Sequence, residues 1–569
     1  MKRYASPGTG MAQEIERKLV AVDGASPLEG DAGLSLPAPY LLDEPLRRTI
    51  RDEYFDTTDW RIYRAGFALR LRREGRQSLL VLKGLDEGND GRLVRTEISQ
   101  VVPAPGTLKD LPPAGPAGSR IRLLAGTAPL RSLFRLRSER MTRNVTRVDG
   151  GSALAEIAID RTVIHAPGKR HPIRFRELEI EMLPGGSPED VDRLAESLIA
   201  GGDFLPVRVS KFQRGLSAAG LAPRLFMDVG PLVFDGNTSS REAVSAILRR
   251  QLARILEREA GTRLGEDDEA LHDMRVAVRR ARTFLRLFSE VLPARGGPLR
   301  EELGWLGDCL GAVRDLDVQV SMLAPVVQGG EVSGASAYLE HLQGERERQR
   351  DGLLRALDSR RYARLIASFR TLVRPLSGPP RRTAERRPVA TYGPALVLSR
   401  TAGVLKLGRR LGGQSADEEL HRLRIRVKRA RYAMEALGPA LPTGTRKAVA
   451  ACVALQDYLG ALQDSNRGRG RGTLVALESP ALDSRQAVLD IGRLITAEEA
   501  KQQTLRSGYA KAYRRFARDP AVRRLRQSLK AHEAKRAAAT QPAALRVEVA
   551  NGAAWEDKVA TEKMELTND

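Results

Sequence analysis

Near the start of the chain, Glu14-Ile15-Glu16-Arg17-Lys18 has a spacing that suits chemistry. On a β-strand, side chains alternate between faces, so Glu14, Glu16 and Lys18 share one side. Two carboxylates and an ammonium together are not core packing. They suit a wet interior that holds a metal ion and an anion at once. The competing reading is the solvated face of an antiparallel sheet, and the elements that would position the motif decide between the two.

Several segments between residue 11 and about residue 215 alternate in the same way. Tyr54-Phe55-Asp56-Thr57 reads as a strand, followed by a turn at Asp59-Trp60, a short helical turn at Ile62-Tyr63 and Gly66. Leu69-Arg70-Leu71-Arg72, Leu79 to Lys83, Arg95-Thr96-Glu97 and Leu133 to Arg137 alternate next, with a Gly/Asp/Asn turn over Leu85 to Gly91 and a Pro/Gly/Ala-rich loop over 103–118. Ala153 to Asp160 puts Glu156 and Asp160 in phase, and Arg174 to Glu181 does the same for Glu177, Glu179 and Glu181. Ser187 as N-cap and Pro188 at the first position predict a helix to Leu198. About eight strands thus pair an apolar face with an ionisable one, and the arginine strands are segregated from the glutamate strands. A half-exposed sheet explains one or two such strands. A closed antiparallel barrel with a wide, charged, hydrated bore explains all of them, provided helices cover its apolar outer face.

Glu14-x-Glu16-x-Lys18, Tyr54-Phe55-Asp56-Thr57, Leu69-Arg70-Leu71-Arg72, Glu177-x-Glu179-x-Glu181 and Ser210-Lys211-Phe212 occur in that order. As an ordered set over residues 11–216, they resemble the CYTH superfamily, the triphosphate tunnel metalloenzymes. The resemblance implies an eight-stranded tunnel that binds a triphosphate and one or two divalent cations and, in many members, hydrolyses the triphosphate. One turn signal is missing: Thr162 stands where a glycine is expected, two residues after Asp160.

Under that resemblance, Lys18, Arg70, Arg72, Lys83, Arg95, Arg137 and Lys211 form the expected phosphate cradle. Arginine forks match phosphate oxygens bidentately and lysine acts as a point charge. Glu14, Glu16, Asp160, Glu177, Glu179 and Glu181 are the expected ligands of Mg²⁺ or Mn²⁺, which prefer oxygen donors and keep several waters, with Glu156 as a ligand or as an orienter of the cationic groups. Converging carboxylates without cations repel one another, which itself argues for a metal. Hydrolysis would be in-line attack of water on the terminal phosphorus, with Glu16 or Glu179 orienting the water and Lys83 on the phosphate.

From about residue 230 to 530 the apolar period becomes 3.6, as over Arg241 to Ala260 and Leu299 to Leu323. This region is duplicated. Leu271-His272-x-x-Arg275-x-x-x-Arg279-Arg280-x-Arg282 recurs as Leu420-His421-x-x-Arg424-x-x-x-Lys428-Arg429-x-Arg431, and Leu310-Gly311-x-x-x-Asp315 recurs as Leu459-Gly460-x-x-x-Asp464. Both anchors give one offset, 149 residues (272 to 421, and 315 to 464). At 100° per residue, His272, Arg275, Arg279 and Arg282 fall within about a quarter-turn of a helix, as do their counterparts. Each half therefore presents a basic stripe headed by a histidine. A solvated charged face is the rival reading; duplication and the near absence of acids within the stripes count against it. The repeats resemble the CHAD domain, which implies polyphosphate binding, without catalysis, by His272, Arg275, Arg279, Arg280 and Arg282, and by His421, Arg424, Lys428, Arg429 and Arg431. No further His or Cys stands at ligand spacing to make the histidines a metal site.

The chain has 569 residues and a formal net charge of +23, too long for one core and basic enough to seek polyanions. Only Phe284 and Tyr432 lie near the stripes as aromatics, which disfavours single-stranded nucleic acid. Two cysteines, Cys309 and Cys452, exclude a disulfide framework and fit a reducing cytoplasm. No apolar run is long enough for a membrane span, and Met1-Lys2-Arg3-Tyr4 lacks the apolar segment of a secretory signal.

The expected architecture is multidomain α+β: a disordered extension over 1–10, an eight-stranded antiparallel tunnel barrel with flanking helices over 11–216, and a linker over 217–231. A duplicated all-α bundle follows over 232–530, in halves of about 232–374 and 392–530 joined by the Pro/Arg-rich 375–391, and then a tail over 531–569. Asn466 to Gly472 reads as a flexible basic loop. Met11 stands directly ahead of the first strand and is an alternative start. The expected function is metal-dependent hydrolysis of inorganic triphosphate with polyphosphate binding, in the cytoplasm and at polyphosphate granules. The alternatives are a non-catalytic polyphosphate-binding protein, or a nucleotide-processing enzyme of adenylate cyclase or thiamine triphosphatase type.

Overall fold

A computed structural model of the chain describes residues 11–22, 34, 36–85, 92–103, 108, 112–169, 171–223, 229–235, 237–328, 335–374, 383–478 and 485–540. The expected extension over 1–10, the turn over 86–91, most of the joint over 375–382 and the tail beyond 540 lie outside the described residues.

The alternating segments form β1 (Met11–Ala21), β2 (Tyr40–Leu42), β3 (Leu46–Thr57), β4 (Phe67–Glu74), β5 (Gln77–Gly84), β6 (Arg92–Val102), β7 (Leu130–Arg147), β8 (Ala155–His165), β9 (Ile173–Met182) and β10 (Phe204–Pro206). Their order is β10-β1-β6-β5-β4-β3-β7-β8-β9, and β9 pairs back onto β1 with Lys18 opposite Glu179. Eight antiparallel strands therefore close into a barrel, with β10 and β2 as side pieces on β1 and β7. Closure removes both sheet edges and gives each strand one inward and one outward face.

The outward apolar face is covered as expected. Helix α3 (Pro188–Ala200) packs Val191, Leu194 and Leu198 against Leu178 and Ile180, and starts in a capping box made by Ser187 and Asp190. Helix α2 (Pro116–Ala125), which begins within the expected 103–118 loop, covers Leu80, Leu82 and Ile98. Helix α4 (Lys211–Ala219), capped by Ser210 and Gln213, is different: it packs Phe212 and Leu216 against the inward-facing Tyr54 and Phe134 and so lies against the bore. A Cβ on Gly215 would lie 2.0 Å from the Phe134 ring, so only glycine lets this helix come close enough to seat Lys211. Thr162, at the position expected to be glycine, sits in unbroken register, and its hydroxyl is 2.8 Å from that of Ser138.

The helical part comprises α5 (Ser240–Leu264), α6 (Asp268–Leu287), α7 (Gly296–Gln328), α8 (Ala335–Asp358), α9 (Arg360–Val373), α10 (Thr383–Arg386), α11 (Val389–Gly408), α12 (Asp417–Leu437), α13 (Thr445–Glu478), α14 (Arg485–Arg518) and α15 (Pro520–Thr540). The duplication is visible in the helix starts: α5, α6 and α7 begin at 240, 268 and 296, and α11, α12 and α13 at 389, 417 and 445, each 149 residues later. The expected loop over Asn466 to Gly472 is instead part of α13; its glycines are carried by the register of a 34-residue helix.

The chain divides into two compact units, residues 1–228 with 254–274 and 351–363, and residues 229–253 with 275–350 and 364–569. The helical segments in the barrel's unit are held by a buried ion network. Glu259 accepts from Arg64 at 3.1 Å, Arg263 at 2.9 Å and the Tyr362 hydroxyl at 2.9 Å, while Arg263 also reaches Asp358 at 2.8 Å. Arg64 belongs to α1 (Arg61–Arg64), the short helical turn that carries Tyr63.

Candidate active site in the barrel bore

The bore encloses a cavity of about 730 Å³. Glu14, Lys18, Arg70, Arg72, Lys83, Arg95, Glu179, Glu181 and Lys211, all expected from the sequence, line it. Tyr63 and Phe212 stand at its wall as well.

Two acidic groups differ in how they are neutralised. In the first, oxygens of Asp160, Glu177 and Glu179 lie within 4.8 Å of one another, all buried. The Lys211 ammonium stands among them, 2.8 Å from Asp160 and 2.9 Å from Glu179, and pairs with Glu177. Lys18 adds 2.6 Å to Glu179, and Arg140 clamps Asp160 bidentately while also reaching Glu179. Burial pushes Asp160 up, but Lys211 and Arg140 outweigh it and bring it down to about 2. Burial of Glu179 is outweighed likewise by Lys18, Lys211 and Arg140, which hold it well below the usual carboxylate range. Asp160 and Glu179 are therefore ionised at any ordinary pH, and the Lys211 charge is held against burial by the acids around it.

The second group is Glu14, Glu16, Glu156 and Glu181. Glu181 lies directly across the strands from both Glu16 and Glu156. Lys83 approaches Glu14 at 2.5 Å and Glu16 at 3.5 Å, and Arg95 approaches Glu16 at 3.2 Å. That leaves Glu181 short of cations: burial, then Glu14 and Glu16, push it up to about 8. Burial together with Glu16 and Glu97 also raises Glu14 against the pull of Lys83.

Extending the inward parity adds residues that the sequence reading missed. Asp52 receives both Arg72 nitrogens at 2.9 Å and Arg70 at 3.6 Å, and Glu97 pairs with Arg70 at 3.4 Å. Arg48 bonds Glu74 at 3.1 Å and faces Glu156 at 3.9 Å. Asp52 stands two residues before Tyr54, so its phase could have been read from that strand. Arg137 is a correction. It points out of the barrel with a side chain 52% exposed, and pairs with Glu139. In β7 the even residues Phe134, Leu136, Ser138 and Arg140 face inward, so the cradle position on that strand belongs to Arg140.

Among the described residues, ten carboxylates (Glu14, Glu16, Asp52, Glu74, Glu97, Glu156, Asp160, Glu177, Glu179, Glu181) meet eight cations (Lys18, Arg48, Arg70, Arg72, Lys83, Arg95, Arg140, Lys211) in and immediately behind this wall. The shortage of positive charge falls on the second group. An all-oxygen donor set with unneutralised carboxylates suits a hard divalent cation such as Mg²⁺ or Mn²⁺. Glu14, Glu156 and Glu181 are the carboxylates left short of cations, whereas Lys18, Lys83 and Arg95 outweigh burial at Glu16 and lower its proton affinity; the oxygens that converge within 4.8 Å are those of Asp160, Glu177 and Glu179, around Lys211.

The second unit brings the two stripes together. Phe284 of α6 packs beside Tyr432 of α12 with ring centroids 6.1 Å apart and ring planes tilted by 57°, and Arg280 and Arg431 each place a guanidinium 4.9 Å from the Tyr432 centroid. Burial, then Arg279, Arg424, Arg429 and Arg431, push Lys428 down to about 8. A Cβ placed on Gly311 would lie 3.6 Å from the Arg275 guanidinium, and one on Gly460 3.7 Å from that of Arg424, the same close approach in each copy. Arg280 and Arg431 are partly spent, because both pair with Glu435. His421 Nδ1 is buried without a hydrogen-bond partner among the described residues.

A closed eight-stranded tunnel with this bore defines the class. Residues 12–214 match the CYTH domain model and residues 246–473 the CHAD domain model, so the chain is a CYTH domain followed by a CHAD domain. CYTH tunnel enzymes are metal-dependent triphosphatases and cyclases, and CHAD domains bind polyphosphate. Over 487 residues the chain is 27% identical to the uncharacterized protein Rv2226 of Mycobacterium tuberculosis, covering 79% of this chain and 86% of that one. Solved structures with similarity include the CHAD domain from the plant Ricinus communis (28% identity, 52% of this chain, 96% of that one, TM-score 0.43). They also include HpAC1 from Hippeastrum, described with a dominant triphosphatase activity (20% identity, 37% of this chain, 99% of that one, TM-score 0.27). Among the described residues, no helix is long and apolar enough to cross a membrane.

Proposed function

We propose that the barrel hydrolyses inorganic triphosphate to pyrophosphate and phosphate with Mg²⁺ or Mn²⁺, and that the helical domain binds polyphosphate. The observation that carries this reading is the division of the bore wall. Lys18, Arg70, Arg72, Lys83, Arg95 and Arg140 line a cavity that also exposes the under-neutralised Glu14 and Glu181. Phosphate oxygens replace carboxylates as partners of the arginine forks, which keeps each guanidinium satisfied as the anion enters. When bound, the divalent ion offsets charge on the bridging and terminal oxygens. Glu16 or Glu179 orients the attacking water; each is held in place by cations, Glu16 by Arg95 and Lys83 and Glu179 by Lys18, Lys211 and Arg140. Lys83, beside Glu14 and Glu16, holds the terminal phosphoryl group at that carboxylate face. In the helical domain, Arg275, Arg279, Arg424, Lys428 and Arg429 supply the polyphosphate contacts, headed by His272 and His421. A cytoplasmic site of action, at polyphosphate granules, follows from the same reading.

The test is phosphate release from triphosphate with Mg²⁺ or Mn²⁺. Wild type should release phosphate only with metal, and Glu16→Ala should lose at least a hundredfold in rate. Absence of metal-dependent release by wild type overturns the enzyme reading. Reversing Arg275 and Arg424 should weaken polyphosphate retention and leave triphosphate turnover in place. One observation favours a second reading: Tyr54, Tyr63 and Phe212 line the same cavity and offer rings to an aromatic base. A nucleoside or thiamine triphosphate turned over faster than inorganic triphosphate would select it.

A further inference from the structure

The outer wall of the barrel carries a pattern that the bore does not use. Residues paired across antiparallel strands share a face, so the register defines rows running over the surface. One outward row runs across five strands: Arg73 pairs with Arg51, Arg51 with Arg137, Arg137 with Val163, and Val163 with Arg174. The adjacent row places Arg161 opposite Arg176. Arg51, Arg137, Arg161, Arg174 and Arg176 are all exposed.

Glu53 is taken by Arg135 at 2.9 Å, and Glu139 alone reaches Arg137, at 3.4 Å with both side chains more than half exposed. Arg51 and Arg174 make no ion pair among the described residues. Like charges directly opposite on paired strands are destabilising, and sheets ordinarily alternate sign at such positions. Four arginines in one five-strand row run against that tendency. At about 4.8 Å between strands, the row runs about 19 Å along the sheet, a curved track of guanidinium forks that bends around about half of the closed barrel. Each fork matches phosphate oxygens.

We propose that this row, Arg73-Arg51-Arg137-Arg174, is a docking surface for a linear polyanion on the outside of the barrel, and that its occupant is an inorganic polyphosphate chain lying across the strands. The rows hold no aromatic side chain to stack a base, so the anion is met through phosphate alone. The site is separate from the bore, because outward and inward residues alternate along each strand.

The test uses the full chain and long-chain inorganic polyphosphate as the probe. Arg51→Glu with Arg174→Glu changes two exposed, unpaired side chains, so the circular dichroism spectrum and melting temperature should match wild type. Arg51→Gln with Arg174→Gln is the milder variant should the first fail to fold. Apparent polyphosphate affinity at low salt should fall at least tenfold for the glutamate pair, and the log–log salt slope should become shallower by about 1.4, from about 0.7 per lost phosphate contact on a single strand. The same pair placed in an Arg275→Glu, Arg424→Glu background should remove polyphosphate retention remaining there, which separates this surface from the helical stripes. Affinity and slope within twofold of the parent in both backgrounds overturn the proposal. Loss of duplex DNA binding with polyphosphate binding untouched also overturns it, and assigns the row to nucleic acid.

Discussion

Lys211→Met removes the ammonium from the centre of Asp160, Glu177 and Glu179 while keeping much of its stem volume. In the wild type, Asp160 is brought from an ordinary 3.8 to about 2. At about 1.4 kcal/mol per unit, that is roughly 2 kcal/mol of stability from this one carboxylate. Because the folded-state value is depressed, the contribution is complete above about pH 4 and is lost as pH falls toward 2. The variant inverts this. Three carboxylates within 4.8 Å keep only Lys18 and Arg140, so their proton affinities rise and the folded state becomes weaker as pH increases. Stranding buried charge costs about 3–5 kcal/mol. For a unit of this size that is a fall in melting temperature of roughly 6–20 °C near pH 8. The assay is thermal unfolding of the full chain, followed by circular dichroism with a chelator present, at pH 8 and pH 5. The deficit should shrink at pH 5, and millimolar Mn²⁺ should restore much of it at pH 8, since a divalent ion can take the place the ammonium leaves. A melting temperature within 2 °C of wild type at pH 8, with neither pH dependence nor Mn²⁺ rescue, would refute the view that Lys211 neutralises this cluster.

Arg140→Ala should lower triphosphate turnover at least tenfold, whereas Arg137→Ala should leave it within twofold; steady-state phosphate release checks both, and equal losses would reverse the inward assignment in β7. Lys428, pushed down to about 8 by burial and by the arginines around it, should take up a proton when polyphosphate binds. Affinity should therefore be full below pH 8 and fall as pH rises above it, by at most tenfold per unit for this one group; titrations between pH 7 and pH 9 in matched salt check this, and Lys428→Met should flatten the profile. Glu435→Gln should release Arg280 and Arg431 and strengthen polyphosphate binding severalfold with a steeper salt dependence, and unchanged binding would leave those two arginines as packing residues.

Most of the barrel was legible because its requirement is strict. A strand with one face in a charged bore and the other under helices must alternate, and Glu14-x-Glu16-x-Lys18 and Glu177-x-Glu179-x-Glu181 alternate without ambiguity. Phase was lost where both faces are polar. Around Arg135, Arg137 and Arg140, the outward face is solvated rather than covered, so charged residues occupy both parities, and nothing local says which arginine enters the bore. Register settles it by placing Arg140 opposite Asp160. Neutralisation was illegible for a different reason. The acids Asp160, Glu177 and Glu179 belong to adjacent strands, but the Lys211 that fills their centre arrives from a helix more than thirty residues on, seated by the glycine contact with Phe134. The duplication was plain from its offset, whereas the continuity of α13 through Asn466 to Gly472 was hidden by glycines that ordinarily end helices.

The duplicated stripes look equivalent in sequence, yet the fold makes them unequal. Shifting by 149 residues turns Arg280 into Arg429 and Arg286 into Glu435. The contact between Arg280 and Glu435 is therefore matched, in the other copy, by Arg429 facing Arg286. One arrangement is an ion pair reinforced by the Tyr432 ring. In the other, burial and then Arg286, Arg400 and Arg426 lower the proton affinity of Arg429. A single acidic residue thus divides a two-fold basic surface into a self-neutralised end and an end with uncompensated charge. A polyanion crossing both stripes gains more from the second, because there its oxygens replace repulsion rather than compete with a carboxylate. Binding along the pair of helices is accordingly polar in direction. The asymmetry rests on position 435 and its counterpart 286 rather than on the histidine and arginine motif that the two copies share.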